Sequence, residues 1–422
     1  MSGSAAGPRR PLAVYIHIPF CIRKCAYCDF LSFPPAPRAG EQEERMRRYF
    51  DALLAEAAAA EEELRAYEVT SIYFGGGTPS LAPVSGIAAC LDAVRAGFPV
   101  AEDAEISLEC NPATADAAKL KKLRDAGVNR LSIGVQSFHD TELKLLGRVH
   151  TAADALRAYE EARNAGFDNI NLDLMAALPG QTADSLLDTV GRAIRLGPEH
   201  LSLYSLIIEP GTPFYERYAG QVPDPHYDRK RKRPSAPDPD TPALPDEDEE
   251  REMLHAARAL LAEHGYEQYE ISNYARQGGR PVTGYRCVQN LAYWMRQDYL
   301  GLGLGAASLL DDTRLTNTRD PGRYAEAGGN ARGGLLSCIR EETRRLSPQE
   351  RMEEFMFLGL RLTEGVAEAD FRRCFGRDID EVYGETLRRH TAADLIVRKN
   401  GRVRLTDRGQ DLANTVMADF MF

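Results

Sequence analysis

Three cysteines fall within eight residues, in the stretch Tyr15-Ile-His-Ile-Pro-Phe-Cys21-Ile-Arg-Lys-Cys25-Ala-Tyr-Cys28. Thiolates are the usual ligands of iron–sulfur clusters, and a tight loop leaving a strand can aim several at one point. Three ligands are one too few for a four-iron cube, so such a cluster would leave one iron open to a non-protein ligand. A zinc loop and a chance grouping are the alternatives. Structural zinc normally takes four ligands, and Asp29 and Phe30 follow the third cysteine with no further Cys or His close downstream.

A second set of chemically capable residues is spread along the chain: Gly75-Gly76-Gly77-Thr78, Glu109, Gln136 and Asp173. Singly, each acid reads as a solvated loop residue and the glutamine as a turn hydrogen-bonder. Their positions relative to the predicted elements change that reading. Strand-like runs cover about 13–18, 70–74, 104–109, 130–135, 169–174 and 201–207, rich in β-branched and aromatic residues. Helical periodicity separates them over about 41–67, 115–126 and 139–165, and from Thr182, a good N-cap. Six strands alternating with helices imply right-handed β-α-β units and a parallel sheet. Every residue of the set, and the cysteine loop, then lies at or just after the C-terminal end of a different strand, where parallel α/β sheets bind ligands.

The 422 residues suffice for two or three domains, and the apolar content of 43% is that of an ordinary globular protein. No apolar run approaches the length of a membrane span, and the first ten residues lack a signal-peptide apolar region. Peripheral membrane contact is left open. Eight cysteines, three of them clustered, fit a reducing compartment, so a cytoplasmic location is expected. A net charge of −11 argues against nucleic acid as the main partner.

Four segments are expected. Residues 1–221 form the parallel α/β unit. Residues 222–250, dense in proline and in blocks of opposite charge such as Arg229-Lys-Arg-Lys-Arg233, read as a disordered linker or insertion. Residues 251–345 extend the first unit, with a helix over about 248–264, an added strand near 266–274 and the only tryptophan, Trp294. The Gly301-Leu-Gly-Leu-Gly305 run lacks the third glycine and the βαβ setting of a dinucleotide loop. Residues 346–422 hold a Ser347-capped helix, two more helices, an Asn400-Gly401 hairpin and a final helix over about 406–420. That is a winged-helix outline without a basic recognition helix, which suits packing or a lid better than DNA.

Taken in order, Tyr15-Ile-His-Ile-Pro-Phe-Cys21, Phe74-Gly-Gly-Gly-Thr-Pro-Ser80, Ser132-Ile-Gly-Val-Gln-Ser-Phe138 and Asn171-Leu-Asp-Leu-Met-Ala-Ala-Leu-Pro-Gly-Gln-Thr182 resemble the radical S-adenosylmethionine (radical SAM) proteins of the oxygen-independent coproporphyrinogen III oxidase-like branch. Leu405-Thr-Asp-Arg-Gly409 and Val416-Met417 resemble the end of that family's C-terminal domain. The resemblance implies an α/β fold, a partial (β/α)6 barrel with a smaller C-terminal winged-helix-like α+β domain. The true oxidases of the branch carry a fourth cysteine two residues after the third and an N-terminal arm. Here Phe30 takes that place and twenty residues precede Cys21, which is similar to the HemW-type haem chaperones.

From that resemblance Cys21, Cys25 and Cys28 are expected to hold a [4Fe-4S] cluster. Tyr15, Tyr27, Gly76, Gly77, Thr78, Glu109, Gln136, Arg148 and Asp173 are expected to line the SAM and cofactor region. The family's His-Asn-x-x-Tyr-Trp haem motif falls on Gln289, Asn290, Tyr293 and Trp294, with glutamine in place of histidine, and a second family histidine is Ala307. Imidazole is a common haem ligand and an amide a poor one. Cys287 could ligate as a thiolate or be a small buried residue. The expected function is a haem chaperone that binds the cluster, SAM and haem, draws on a reductant, and delivers haem to haem-accepting proteins. The alternative is a coproporphyrinogen III dehydrogenase or another radical SAM oxidoreductase that generates a 5′-deoxyadenosyl radical.

Overall fold

The structure is a computed structural model that describes residues 9–38, 40–64, 66–114, 116–218, 241–280, 283–329 and 335–421. Six strands alternate with helices in its first half: β1 (Arg10–Ile18), β2 (Tyr67–Gly76), β3 (Val100–Cys110), β4 (Arg130–Gln136), β5 (Ile170–Ala176) and β6 (His200–Ser205). All six pair in parallel in sequence order. The sheet continues on both sides with strands from the middle of the chain. These are β7 (Tyr266–Glu270), β8 (Asn273–Arg276), β9 (Tyr299–Leu302), β10 (Ala307–Leu310), β11 (Thr313–Asn317) and β12 (Arg340–Arg345). The full order is β12-β11-β10-β9-β1-β2-β3-β4-β5-β6-β8-β7.

Alternation decides which face each residue takes. Leu12, Val14, Ile16 and Ile18 of β1, Ile106 and Leu108 of β3, Leu131 and Ile133 of β4, and Leu172 and Leu174 of β5 pack in one core with the covering helices. The intervening residues are polar and yet buried: Ser71, Glu105, Ser107, Arg130, Ser132, Asn171, His200 and Ser202. One apolar face therefore lies under helices, and the other is a polar interior. Short bonds from residues 287–289 reach strands at opposite ends of that interior. The Cys287 N–H donates to Tyr269 of β7 (3.2 Å), the Val288 N–H to Glu105 of β3 (3.0 Å), and Gln289 accepts from Ser71 of β2 (2.8 Å). The sheet is thus curled into a partial barrel, with the helix Val288–Trp294 on its inner face.

The expected parallel core stands, and the helix caps are those read from the sequence: Thr182 and Ser347 each close a capping box. The stretch 266–274 forms two antiparallel strands rather than one. The final helix is two short ones, Asp407–Asp411 and Ala413–Ala418, broken at Leu412. The linker expected over 222–250 needs correction at its C-terminal end. Ala243 accepts a hydrogen bond from the Gly180 N–H (2.7 Å), Leu244 packs beside Leu178 and Tyr218, and Asp246 caps a helix over Glu247–Glu263. The remainder of that expectation, including Arg229–Arg233, lies outside the described residues. A separate core of Met356, Phe371, Tyr383, Leu387, Val403 and Phe420 organises the C-terminal unit. Its strands β13 (Val366–Ala367), β14 (Ile396–Lys399) and β15 (Arg402–Leu405) form a small antiparallel sheet with the Asn400-Gly401 turn. No described helix is long and apolar enough to cross a membrane.

The added strands are tied to the first long helix, Glu41–Ala60, by a buried carboxyl. Glu56 accepts from the Gly303 N–H (2.9 Å), the Asn317 amide (2.7 Å) and the Tyr324 hydroxyl (2.5 Å). Burial still outweighs these three donors and pushes its pKa up to about 7. The native state therefore holds a proton that the unfolded chain has already released above its ordinary carboxyl range. Stability from this group falls as pH rises from about 4.5 towards 7 and is level above that, a span on the order of 3 kcal/mol. Denaturant unfolding at pH 5 and at pH 7.5 should show this fall in the wild type, and Glu56→Gln should lose the share due to Glu56 while the part due to Glu109, which burial also raises to about 7, remains.

Candidate active site

The cysteine loop leaves β1 and is pinned from both sides. The Cys21 N–H donates to Phe33 (3.0 Å) and the Phe33 N–H to Pro19 (2.8 Å). The Gly77 N–H donates to Ile18 (2.9 Å) and the Thr78 N–H to Phe20 (2.8 Å), so the glycine turn after β2 is bonded to the residues just before Cys21. A side chain at 77 would lie 2.8 Å from the Phe20 carbonyl and 2.9 Å from that of Ile18, which only glycine avoids. Farther along the loop, the Ala26 N–H donates to Leu146 (3.0 Å), and Phe214 donates to Ala26 (2.9 Å).

Cys21 is buried, while Cys25 and Cys28 are half-buried. The Thr78 hydroxyl donates to Cys21 Sγ at 3.6 Å and Arg148 Nη1 to Cys25 Sγ at 3.6 Å. Burial pushes the Cys28 thiol up to about 11. Among the described residues no three His, Cys, Asp or Glu are spaced around a single ion. A four-iron cube takes each thiolate at a different iron and needs no such convergence.

Tyr15 and His17 share the inner face of β1. His17 Nε2 is 2.8 Å from the Leu31 carbonyl, so it is the donor, and Nδ1 accepts from the Tyr15 hydroxyl at 3.0 Å. Burial lowers the His17 pKa, in keeping with that neutral ring. Next to them, Glu109 accepts from the Gly76 N–H and the Tyr73 hydroxyl, both at 3.1 Å. Burial, reinforced by Asp173, pushes Glu109 up to about 7. Asp173 accepts from Ser132 (2.9 Å) and Asn171 (2.8 Å), and burial raises it as well.

Gln136 ends β4 at φ 68, a left-handed conformation uncommon outside glycine, where the register with β5 shifts. Its amide and the Arg148 guanidinium meet over Gly134. Arg148 also lies beside Tyr27, whose phenol is pushed upward by burial. The structure thus gathers Tyr15, Gly76, Gly77, Thr78, Glu109, Gln136, Arg148 and Asp173 around the strand ends that carry the cysteine loop. His17 and Tyr73 belong to the same group and were missed. Their signal was period two: each shares an inward face with Tyr15 or Gly75. Arg130 was also missed. Its buried cation lies on the inner face near Cys287 and Glu105, which hold it charged against burial.

The 287–294 stretch is placed differently. Cys287 and Gln289 are 1% exposed. Burial pushes the Cys287 thiol up to about 12. Gln289 spends both ends of its amide inside, accepting from Ser71 (2.8 Å) and donating to Tyr293 (2.9 Å). Asn290, Tyr293 and Trp294 are half-buried, and Arg361 stacks on the Trp294 ring at 4.3 Å. Ala307 sits in β10.

Partial barrel, cysteine loop and glycine turn together define a radical SAM protein. Residues 15–193 match the Radical SAM superfamily profile, and residues 346–412 match the HemN C-terminal domain. The heme chaperone HemW of Bacillus subtilis (strain 168) is 35% identical over 415 residues, covering 97% of this chain and 99% of the relative. HemW of Escherichia coli (strain K12) is 37% identical over 366 residues, covering 86% and 85%. The solved coproporphyrinogen III oxidase HemN of Escherichia coli superposes with a TM-score of 0.77 at 24% identity, covering 99% of this chain and 91% of that one. The chain belongs to the HemW family.

Gly76 joins backbone conformation to contact. It sits at φ +113, and a Cβ there would lie 2.4 Å from the His17 ring. Gly166 is also left-handed (φ +91) but has open space around it. Gly76→Ala should therefore cost about 3 kcal/mol or more, strain and displaced histidine together, against about 1 kcal/mol for Gly166→Ala. Denaturant midpoints of the two variants measure the difference.

Proposed function

We propose that this chain is a radical SAM haem chaperone, in which Cys21, Cys25 and Cys28 hold a [4Fe-4S] cluster, SAM binds beside them, and haem is carried to haem-accepting proteins. The observation that carries the reading is near-full-length similarity to relatives named heme chaperones, together with a loop that presents three thiols. The residues fit the implied group. The three thiols are unpaired and near enough to act on one another's charge, hydroxyl and guanidinium donors face two of the sulfurs, and Phe30 offers no fourth ligand. When bound, a three-thiolate cluster supplies an open iron for the amino and carboxylate groups of SAM and an electron for its reductive cleavage.

The protein's own contributions follow from the site. Gly76 and Gly77 keep the wall beside the loop free of side chains, and Thr78 fixes Cys21. Tyr15, held by His17, presents an aromatic face. Glu109 near its midpoint at neutral pH can accept or donate to a polar ligand atom. Gln136, Asp173 and Tyr27 complete the rim. The reading places the protein in the reducing cytoplasm, which eight unpaired cysteines support. It draws no axial haem ligand from Cys287 or Gln289, because both side chains are enclosed.

Anaerobic reconstitution followed by haem titration tests the reading. The wild type should take up iron and sulfide with brown absorbance, and then bind haem saturably, with a Soret band, at a single class of site. Cys25→Ala should lose the cluster absorbance, while Gln289→Ala should leave haem uptake within about twofold, since a substitution confined to the interior removes no iron ligand. A wild type that loads the cluster but takes up no haem would favour the dehydrogenase-like alternative.

A further inference from the structure

Among the described residues no carboxylate pairs with the Arg148 guanidinium. The side chain is half-buried and lies between Tyr27 and Cys25. Nη2 donates to the Gly134 carbonyl (2.7 Å), Nη1 to Cys25 Sγ (3.6 Å), and Nε has no partner. A half-buried cation held this close to a sulfur favours the anionic thiolate over the neutral thiol. Neighbouring groups do not supply a charge. His150, two residues on, is held neutral by burial and by Arg148 itself, at about 4. Lys24 is exposed and directs its ammonium to the Phe30 carbonyl.

The scaffold fixes this guanidinium against the loop. The Arg148 N–H donates to Leu143 (2.9 Å), closing the helix Asp140–Leu145, and Leu146 accepts from Ala26, the residue after Cys25. At the Gly147 turn a Cβ would stand 3.4 Å from the Ala26 nitrogen. The turn and the cysteine loop are therefore one packed unit, and the guanidinium cannot drift from Cys25 without breaking the Gly134 bond.

We infer that Arg148 is a positioning residue that donates to the Cys25 ligand of the cluster and makes the cluster easier to reduce. This rests on the reading of the three cysteines as cluster ligands. One-electron reduction adds a negative charge to a centre that is already anionic with three thiolates. A fixed positive charge at the ligand sulfur stabilises the reduced state more than the oxidised one, and hydrogen bonds to sulfur act in the same direction. A carboxylate of a bound ligand is the other chemistry open to this side chain, so the measurement is made without SAM.

The full chain, Arg148→Gln and Arg148→Lys are reconstituted anaerobically, and their iron and sulfide contents are measured first. Each is then titrated with dithionite and mediator dyes, following the electron paramagnetic resonance signal of the reduced cluster. The Gln variant should shift to a more negative midpoint than the wild type, with the Lys variant between them. Partial loading leaves the comparison intact, because the signal arises only from loaded chains. An unchanged midpoint in the Gln variant overturns the inference, as does a Lys variant no more positive than Gln. A wild type that takes up no iron would instead overturn the cysteine reading itself.

Discussion

Two strand ends that stay bonded after their ladder has finished hold the site together. Parallel strands usually part at their C-terminal ends as each turns into its helix. Here β1 and β2 remain coupled through Gly77 to Ile18 and Thr78 to Phe20. Those bonds need backbones closer than a Cβ permits at position 77. From this one approach the rest follows: Thr78 faces Cys21, the Gly76 N–H reaches Glu109, and His17 is trapped against Leu31. Cysteine loop, glycine turn and acidic wall are therefore one rigid frame rather than three adjacent features.

The electrostatics of the interior follow from what burial does to each charge. Glu109 and Asp173 accept two hydrogen bonds each, yet burial raises both. Desolvation therefore outweighs hydrogen bonding here. The consequence is a wall less negative than two free carboxylates would make it beside three thiols, while the Arg148 cation is directed at Cys25. A centre that gained negative charge on reduction would be better tolerated beside a half-protonated Glu109 than beside a full carboxylate there. The acids can then serve as hydrogen-bonding groups for a polar ligand without adding their full repulsion.

Legibility in the sequence followed the length and regularity of the elements. The six parallel strands showed because apolar residues alternate with small polar ones, which sets the strand period. Thr182, Ser347 and Asn400-Gly401 announced caps and a turn through their own chemistry. Strands β9–β12 were not legible: four to six residues each, they gain order only by pairing with one another and with β1. The inner-face partners Arg130 and His17 were hidden for another reason. A residue inside a strand reads as structural until the facing strands are known, and the left-handed turn at Gln136 has no local signal at all. The end of the expected linker was misplaced because Ala243 and Leu244 are fixed by Gly180 and by a distant apolar cluster, which composition cannot reveal.

Gln289 shows how a motif residue can be decided by its surroundings. The position lies on the inner face, between a hydroxyl that donates (Ser71) and one that accepts (Tyr293). A primary amide supplies one acceptor and one donor in the right order, so glutamine is a satisfied strut there. Iron coordination through this position, or through Cys287, would require the segment to leave the barrel. That would break the bonds to Ser71, Glu105 and Tyr269, at about 1 kcal/mol net for each, and uncover the buried Arg130 and Cys287. The cysteine loop needs no such movement, since Cys25 and Cys28 are half-buried rather than enclosed. The proposed cluster site thus asks for no opening of the interior, whereas any haem ligation through 287–289 is coupled to undoing the interior that joins β2, β3 and β7.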